Sequence, residues 1–182
     1  MRVISGRLGG RQLLAPKGWQ VRPTSERVRE ALFSALGDVT GFTVADLYCG
    51  TGALGIEAIS RGATSAVLVD NDTRPAMGNV HNLGLIDEVE LVRGEAVKWL
   101  DGENGRRVFD LVLIDPPYRM ATEVAAELDR LLPTVLAPGG RVVVECAAKH
   151  PLELPSLEVV RERRYGRTLV TFLEHPLVQK RI

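Results

Sequence analysis

The chain has 182 residues, enough for one domain with at most a small appendage. It is 45% hydrophobic and 25% charged, close to the globular average, which argues for a packed core and against a disordered chain. The formal net charge is zero but unevenly spread. Residues 1–30 hold seven basic side chains (Arg2, Arg7, Arg11, Lys17, Arg22, Arg27 and Arg29) against Glu26 and Glu30, a net of +5. The remainder carries 16 basic and 21 acidic side chains, a net of −5. A basic end on an acidic body suits a polyanionic partner and a plain solvated face about equally.

Cys49 and Cys146 lie far apart and form no C-x-x-C pair, so neither a metal site nor a disulfide framework is expected. The stretch Met1 to Arg11 is basic and Gly-rich, unlike a signal peptide. No apolar run approaches the ~20 residues that span a bilayer. The expectation is a cytoplasmic monomer with no membrane partner.

In chain order, residues 2–15 read as a β-hairpin, with Arg2–Ser5 and Arg11–Ala15 flanking Gly6-Arg-Leu-Gly-Gly10. Thr24 and Ser25 can cap a helix over 25–36, whose Val28, Leu32, Phe33 and Leu36 recur at helical spacing. Strand and helix then alternate. Strands are expected at 43–47, 66–70, 89–93, 110–115 and 141–146, and helices at 53–61, 73–83 and 122–136. Pro138-Gly139-Gly140 is expected to stop the last helix. Two further strands, about 157–163 and 168–174, flank Arg164-Tyr-Gly-Arg167 as an antiparallel hairpin. Ala66-Val-Leu-Val and Leu111-Val-Leu-Ile are continuously apolar, as parallel strands buried on both faces are. The sum is an α/β fold, a doubly wound, mostly parallel sheet with a C-terminal antiparallel hairpin and a small N-terminal β-hairpin arm.

The first strand runs through Asp46-Leu-Tyr-Cys-Gly50-Thr-Gly52-Ala-Leu-Gly55 straight into a helix. Gly50-x-Gly52-x-x-Gly55 matches a dinucleotide fingerprint, which alone is weak. Asp70 ends the next strand, twenty positions after Gly50, where a carboxylate can accept both hydroxyls of an adenosine ribose. Nicotinamide dinucleotide, flavin and S-adenosylmethionine all fit such a loop. Asp46 tips the balance, because a carboxylate there would repel a pyrophosphate and welcome the ammonium and sulfonium of S-adenosylmethionine.

The fourth strand ends in Asp115-Pro116-Pro117-Tyr118. Two prolines hold the backbone extended and remove two N–H donors, leaving carbonyls free to accept. Asp115 adds a carboxylate and Tyr118 a ring for base stacking. Acceptors aimed at the hydrogens of a base amino group localise its lone pair and stabilise the positive charge that develops on methylation. Carbon-5 cytosine methylation fits poorly, since it needs a cysteine nucleophile and this loop has none.

Asp46–Gly55, Asp70 and Asp115–Tyr118 resemble motifs I, II and IV of class I amino-methyltransferases. The opening segments sharpen the match. Met1 to Arg11, with Arg22-Pro-Thr-Ser-Glu-Arg-Val-Arg-Glu-Ala-Leu-Phe33, resemble the RsmD family, which makes N2-methylguanine in 16S ribosomal RNA. The resemblance covers the whole chain. It implies a Rossmann-like class I methyltransferase, S-adenosylmethionine as cofactor, and a guanine of the preassembled small ribosomal subunit as substrate. Catalysis would fall to Asp115, Pro116, Pro117 and Tyr118. The cofactor would lie against Asp46, Tyr48, Gly50, Gly52, Asp70, Asn71, Glu95 and Ala96, with Glu95 near the adenine amino group. RNA would dock on Arg2, Arg7, Arg11, Lys17, Arg22 and Arg27, with residues 1–20 as a docking arm and 21–182 as the methyltransferase domain. The alternatives are amino-methylation of a DNA base, a nicotinamide-dependent oxidoreductase, and a non-catalytic RNA-binding module. Trp99 reads as core; Trp19, in the basic arm, is a more plausible base contact. Cys49 and Cys146 read as packed residues.

Overall fold

The computed structural model describes residues 1–15, 25–102, 107–117 and 121–175, without the side chains of residues 121 and 122. The continuous apolar runs form the middle of a seven-stranded sheet. In chain order the elements are α1 (Glu26–Leu36), β1 (Thr43–Leu47), α2 (Ala53–Ser60), β2 (Ser65–Asp70), α3 (Arg74–Leu83), β3 (Val89–Arg93), α4 (Ala96–Asp101), β4 (Phe109–Ile114), α5 (Ala121–Val135), β5 (Leu136–Ala147), β6 (Glu158–Tyr165) and β7 (Thr168–Glu174). The strand order is β3-β2-β1-β4-β5-β7-β6. The first five strands of that row pair in parallel, and β7 and β6 add antiparallel at one end. The winding direction reverses between β1 and β4, and open sheets of this kind bind ligands at the carboxyl ends flanking that reversal.

Each face of the sheet carries its own core. On one side, α1, α2 and α3 pack Leu32, Phe33, Ile56, Ile59 and Val80 against Val44, Leu68, Leu111 and Leu113. On the other, α4 and α5 pack Trp99, Leu100, Leu128 and Leu132 against Leu47, Val69, Val112 and Ile114. Trp99 is buried as expected, its ring centroid 5.9 Å from that of Phe109.

Three details differ from the sequence reading. Residues 2–15 do fold back on themselves, with the Val3 amide donating to the Arg11 carbonyl and the Gly10 and Leu13 amides to those of Val3 and Met1, each at 2.9 Å, but a single antiparallel bridge, Arg2 to Gln12, stands where two strands were expected, because the amides of Ile4, Ser5 and Leu8 bond to the body instead. The strand expected at 141–146 begins at Leu136, and Ala137–Gly140 makes an excursion between the pairs Phe109↔Leu136 and Leu111↔Arg141. The short α4 was not foreseen, since six residues are too few to display a helical period.

The arm shares the first core. Val3, Leu8 and Leu13 are buried in it. Its backbone is tied to α2 and α3: the amides of Ile4 and Ser5 donate to Glu57 at 2.7 and 3.0 Å, that of Leu8 to Ser60 Oγ at 3.0 Å, and that of Leu14 to Asn79 Oδ1 at 2.7 Å. Glu57 is fully buried. It also accepts from Arg61 Nε at 2.7 Å and faces Arg29 Nε at 3.5 Å. Arg29, equally buried, donates to the Arg2 carbonyl, and burial draws its guanidinium below the usual value while Glu57 opposes the shift. One carboxylate thus fastens arm, α1 and α2 together.

Removing one partner of a buried ionic cluster strands the other charge, at about 3–5 kcal/mol. Glu57→Ala is therefore expected to lose stability of that order in urea unfolding at neutral pH. A loss under about 1 kcal/mol would show that the cluster does not hold the arm.

Candidate active site

The penultimate residue of β1 is a buried acid. Asp46 is 1% exposed, and its Oδ2 accepts from the Gly55 amide at 2.8 Å. Its Oδ1 has no partner among the described residues. Burial raises its carboxyl to about 7, with the Asp70 charge adding to the rise and the Gly55 bond opposing it. Gly55 makes this tuck possible. A Cβ there would lie 2.3 Å from Leu68 Cδ2 and 3.2 Å from Asp46 Oδ2, so any side chain would force the buried Leu68 or the helix to shift. Gly52 caps α2 in a left-handed conformation (φ 76°), and a Cβ there would meet Leu68 at 2.9 Å.

Between them the chain turns through Tyr48, whose φ of 61° is the one positive value at a non-glycine residue among the described residues. An aromatic residue resists this conformation, and such strain concentrates where loops are shaped for ligands. Tyr48 is half-buried against the second core, and burial together with the Glu95 charge pushes its phenol up to about 12.

Asp70 braces the loop from the neighbouring strand. Its Oδ2 accepts from the Gly50 amide and its Oδ1 from the Asp72 amide, both at 2.9 Å. Each oxygen keeps a lone pair for a ligand hydroxyl. The Gly94 amide donates to the Asp70 carbonyl at 2.9 Å, which brings the start of α4 alongside. There Glu95 is exposed and pairs with Lys98 at 2.9 Å, Ala96 is buried, and the Asn71 carbonyl accepts from Arg93 Nε at 3.2 Å.

Across the reversal, the Asp115 amide donates to the Leu47 carbonyl at 3.4 Å, laying the end of β4 against the end of β1. Asp115 is half-buried, Pro116 buried and Pro117 exposed. Tyr118 lies outside the described residues. Asp46, Tyr48, Gly50, Gly52, Asp70, Asn71, Glu95, Ala96 and Asp115–Pro117 thus share the carboxyl edge of the sheet. Glu145, buried in β5, follows the Ile114↔Val144 pair, as Asp115 follows it on β4. Sequence reasoning passed over it, although a lone acid in Val142-Val-Val-Glu145-Cys was the available signal.

Among the described residues expected to dock RNA, Arg7 stands apart from Arg2, Arg11 and Arg27. Arg7 pairs with Glu88 at 2.5 Å, at the amino end of β3, the edge opposite the glycine loop. Arg2 pairs with Glu26 at 3.1 Å. Arg11 and Arg27 are exposed, and Arg27 sits in the first turn of α1. Lys17, Trp19 and Arg22 fall outside the described residues. Both cysteines are buried, and burial pushes both thiols up, so neither is a ready nucleophile.

The profile of the family described as "Conserved hypothetical protein 95" matches residues 1–174. The chain belongs to this family. It is 34% identical over 182 residues to YlbH of Bacillus subtilis, covering 92% of this chain and 95% of that one. It is also 34% identical to Ribosomal RNA small subunit methyltransferase D of Escherichia coli K12, over 122 residues that span 65% of this chain and 61% of the relative. The Haemophilus influenzae protein of the same name is 29% identical, with 91% and 89% covered. Among solved structures, yhhF from Escherichia coli superposes with a TM-score of 0.82 at 28% identity, covering 96% and 97% of the two chains. The Thermus protein TTHA0928 superposes with a TM-score of 0.80 at 29% identity, covering 96% and 99%. The family membership agrees with the resemblance drawn from the sequence, and the fold is that of the Rossmann-like methyltransferases.

Asp46 gives the site a pH signature. In the unfolded chain its carboxyl ionises near 3.8, and in the folded chain near 7. Between these values the folded state holds the extra proton, so stability falls as pH rises and levels off above about 7. Relative to Asp46→Asn, the wild-type protein should lose stability from pH ~4 to ~7 in urea melts. A gap between the two proteins that does not move with pH would contradict the buried, protonated acid.

Proposed function

We propose that this protein transfers a methyl group from S-adenosylmethionine to the exocyclic N2 amine of a guanine in small-subunit ribosomal RNA. One observation carries the reading. The unsatisfied Asp46 carboxylate and the Asp115-Pro116-Pro117 loop flank the same reversal of the sheet, joined by the Asp115–Leu47 hydrogen bond. The names of the Escherichia coli and Haemophilus influenzae relatives support the choice of ribosomal RNA.

The residues fit the cofactor. A buried carboxylate oxygen without a partner is costly unless a ligand completes it, and a cation is the natural complement. Asp46 would hold the cationic amino acid end. Asp70 would accept the ribose hydroxyls, Glu95 would meet the adenine amino group beside Ala96, and Tyr48 and Asn71 would line the rim. Gly50 and Gly52 let the backbone approach closely. The same Asp46 carboxylate disfavours the pyrophosphate of a nicotinamide dinucleotide.

S-adenosylmethionine supplies, when bound, an electrophilic methyl group on sulfur. The chain's own task is to present the amine. Asp115 and the carbonyls of the proline loop accept its two hydrogens, which turns the lone pair outward and offsets the positive charge that grows on nitrogen. Pro116 and Pro117 keep those acceptors fixed, and Tyr118 would stack on the guanine.

Asp115→Ala should slow single-turnover methyl transfer to undermethylated small subunits by ~100-fold or more, with S-adenosylhomocysteine affinity near that of wild type. Asp70→Ala should do the reverse, weakening that affinity by about 1.5–3 kcal/mol in calorimetry. An Asp115→Ala rate within a few-fold of wild type would remove the loop from catalysis.

A further inference from the structure

We propose that the β6–β7 turn is a phosphate-binding rim that holds the RNA strand flanking the target base, through Arg163, Arg164 and Arg167 with Lys149 beside them. This rests on the reading of the protein as an RNA methyltransferase and adds the surface that grips the substrate.

The topology places the turn. β5 is parallel to β4, so its carboxyl end lies on the same edge as Asp115. β7 is antiparallel to β5 and begins there, with Ala147 opposite Thr168. The turn between β6 and β7 therefore stands on the rim of the site. The Ala148 amide donates to the Arg167 carbonyl at 2.9 Å, joining the turn to the segment that carries Lys149. Tyr165, half-buried against the first core, anchors the turn from below.

Charge makes this rim distinctive. Residues 163–167 contain three arginines and no acid, inside a body whose net charge is −5. All three arginines and Lys149 are exposed. None of the four forms an ion pair among the described residues, which is also true of Arg11, Arg27, Arg93 and Arg161, so the rim stands out by holding three such arginines within five residues, whereas Arg2, Arg7, Arg74, Arg107 and Arg130 each have a carboxylate. Arg163 and Arg164 touch only local carbonyls, those of Glu162 at 3.0 Å and Gly166 at 3.1 Å, and keep further N–H donors free. Register sets them on opposite faces. Arg163 pairs with Val170 of the first core, and Arg164 with Leu169 on the second. Two arginines straddling a strand end can hold successive phosphates of one strand, and unpaired guanidinium groups are suited to that contact.

The test uses full-length protein and small ribosomal subunits from cells that lack it. Arg163→Gln/Arg164→Gln/Arg167→Gln is expected to bind them at least ~10-fold more weakly, with a salt dependence shallower by about 2, as loss of three single-strand phosphate contacts requires. S-adenosylhomocysteine affinity and melting temperature should match wild type. The corresponding triple Arg→Lys variant should restore most of the affinity. Arg107→Gln, which removes a charge at the opposite edge of the sheet, should change neither affinity nor slope. Should the triple Gln variant melt early, the three single variants replace it, each expected to flatten the slope by about 0.7. Unchanged affinity and slope beside a wild-type protein that binds and methylates the particle would overturn the rim alone. A wild-type protein that neither binds nor methylates the particle would overturn the methyltransferase reading, and the rim with it.

Discussion

A carboxylate buried under a glycine turn is the constraint around which this site is organised. Asp46 reaches the Gly55 amide because α2 starts directly above the end of β1, and α2 can start there because positions 52 and 55 carry no side chain to meet Leu68. The arrangement leaves one oxygen without a partner among the described residues, and burial draws the carboxyl to about 7. Stability would be better served by an apolar residue in that place. The strained Tyr48 beside it has the same character. Both features are local conflicts of the kind that proteins accept mainly at functional sites.

Around that loop the rest of the fold acts as a frame. Asp70 fixes the glycine turn from β2, and the Asp115–Leu47 bond fixes the proline loop from β4. Two separate cores, one on each face, hold these strands in register. On the first face the arm is part of the frame, because Glu57 ties its backbone to Arg29 and Arg61. The basic residues that made the arm look like a docking element are partly consumed in this way. Arg7 answers Glu88 at the far edge, and Arg2 answers Glu26.

Most of the sheet was legible from the sequence because its strands are buried on both faces, and continuous apolar runs such as Leu111-Val-Leu-Ile admit few other readings. The site residues on the carboxyl edge were legible for a related reason. Asp46, Asp70 and Asp115 stand at or next to the end of an apolar strand, where an acid stands out. What escaped was whatever depends on tertiary pairing. Nothing local in Arg2-Val-Ile-Ser-Gly says that its amides bond to a glutamate fifty residues away. Nothing in Glu145 says which strand end it will meet. Net charge says nothing of position: the acidic body holds three arginines close together at one turn, and in the arm Arg2 and Arg7 each face a carboxylate.

In the function proposed above, the Asp46 loop and the Asp115 loop together serve methylation of one guanine amine in small-subunit RNA. Mass mapping of modified nucleotides in that RNA, from cells with and without this protein, tests it most directly. The account predicts a single N2-methylguanine that disappears with the protein and returns on addition of wild-type protein but not of Asp115→Ala. An unchanged methylation map would contradict it.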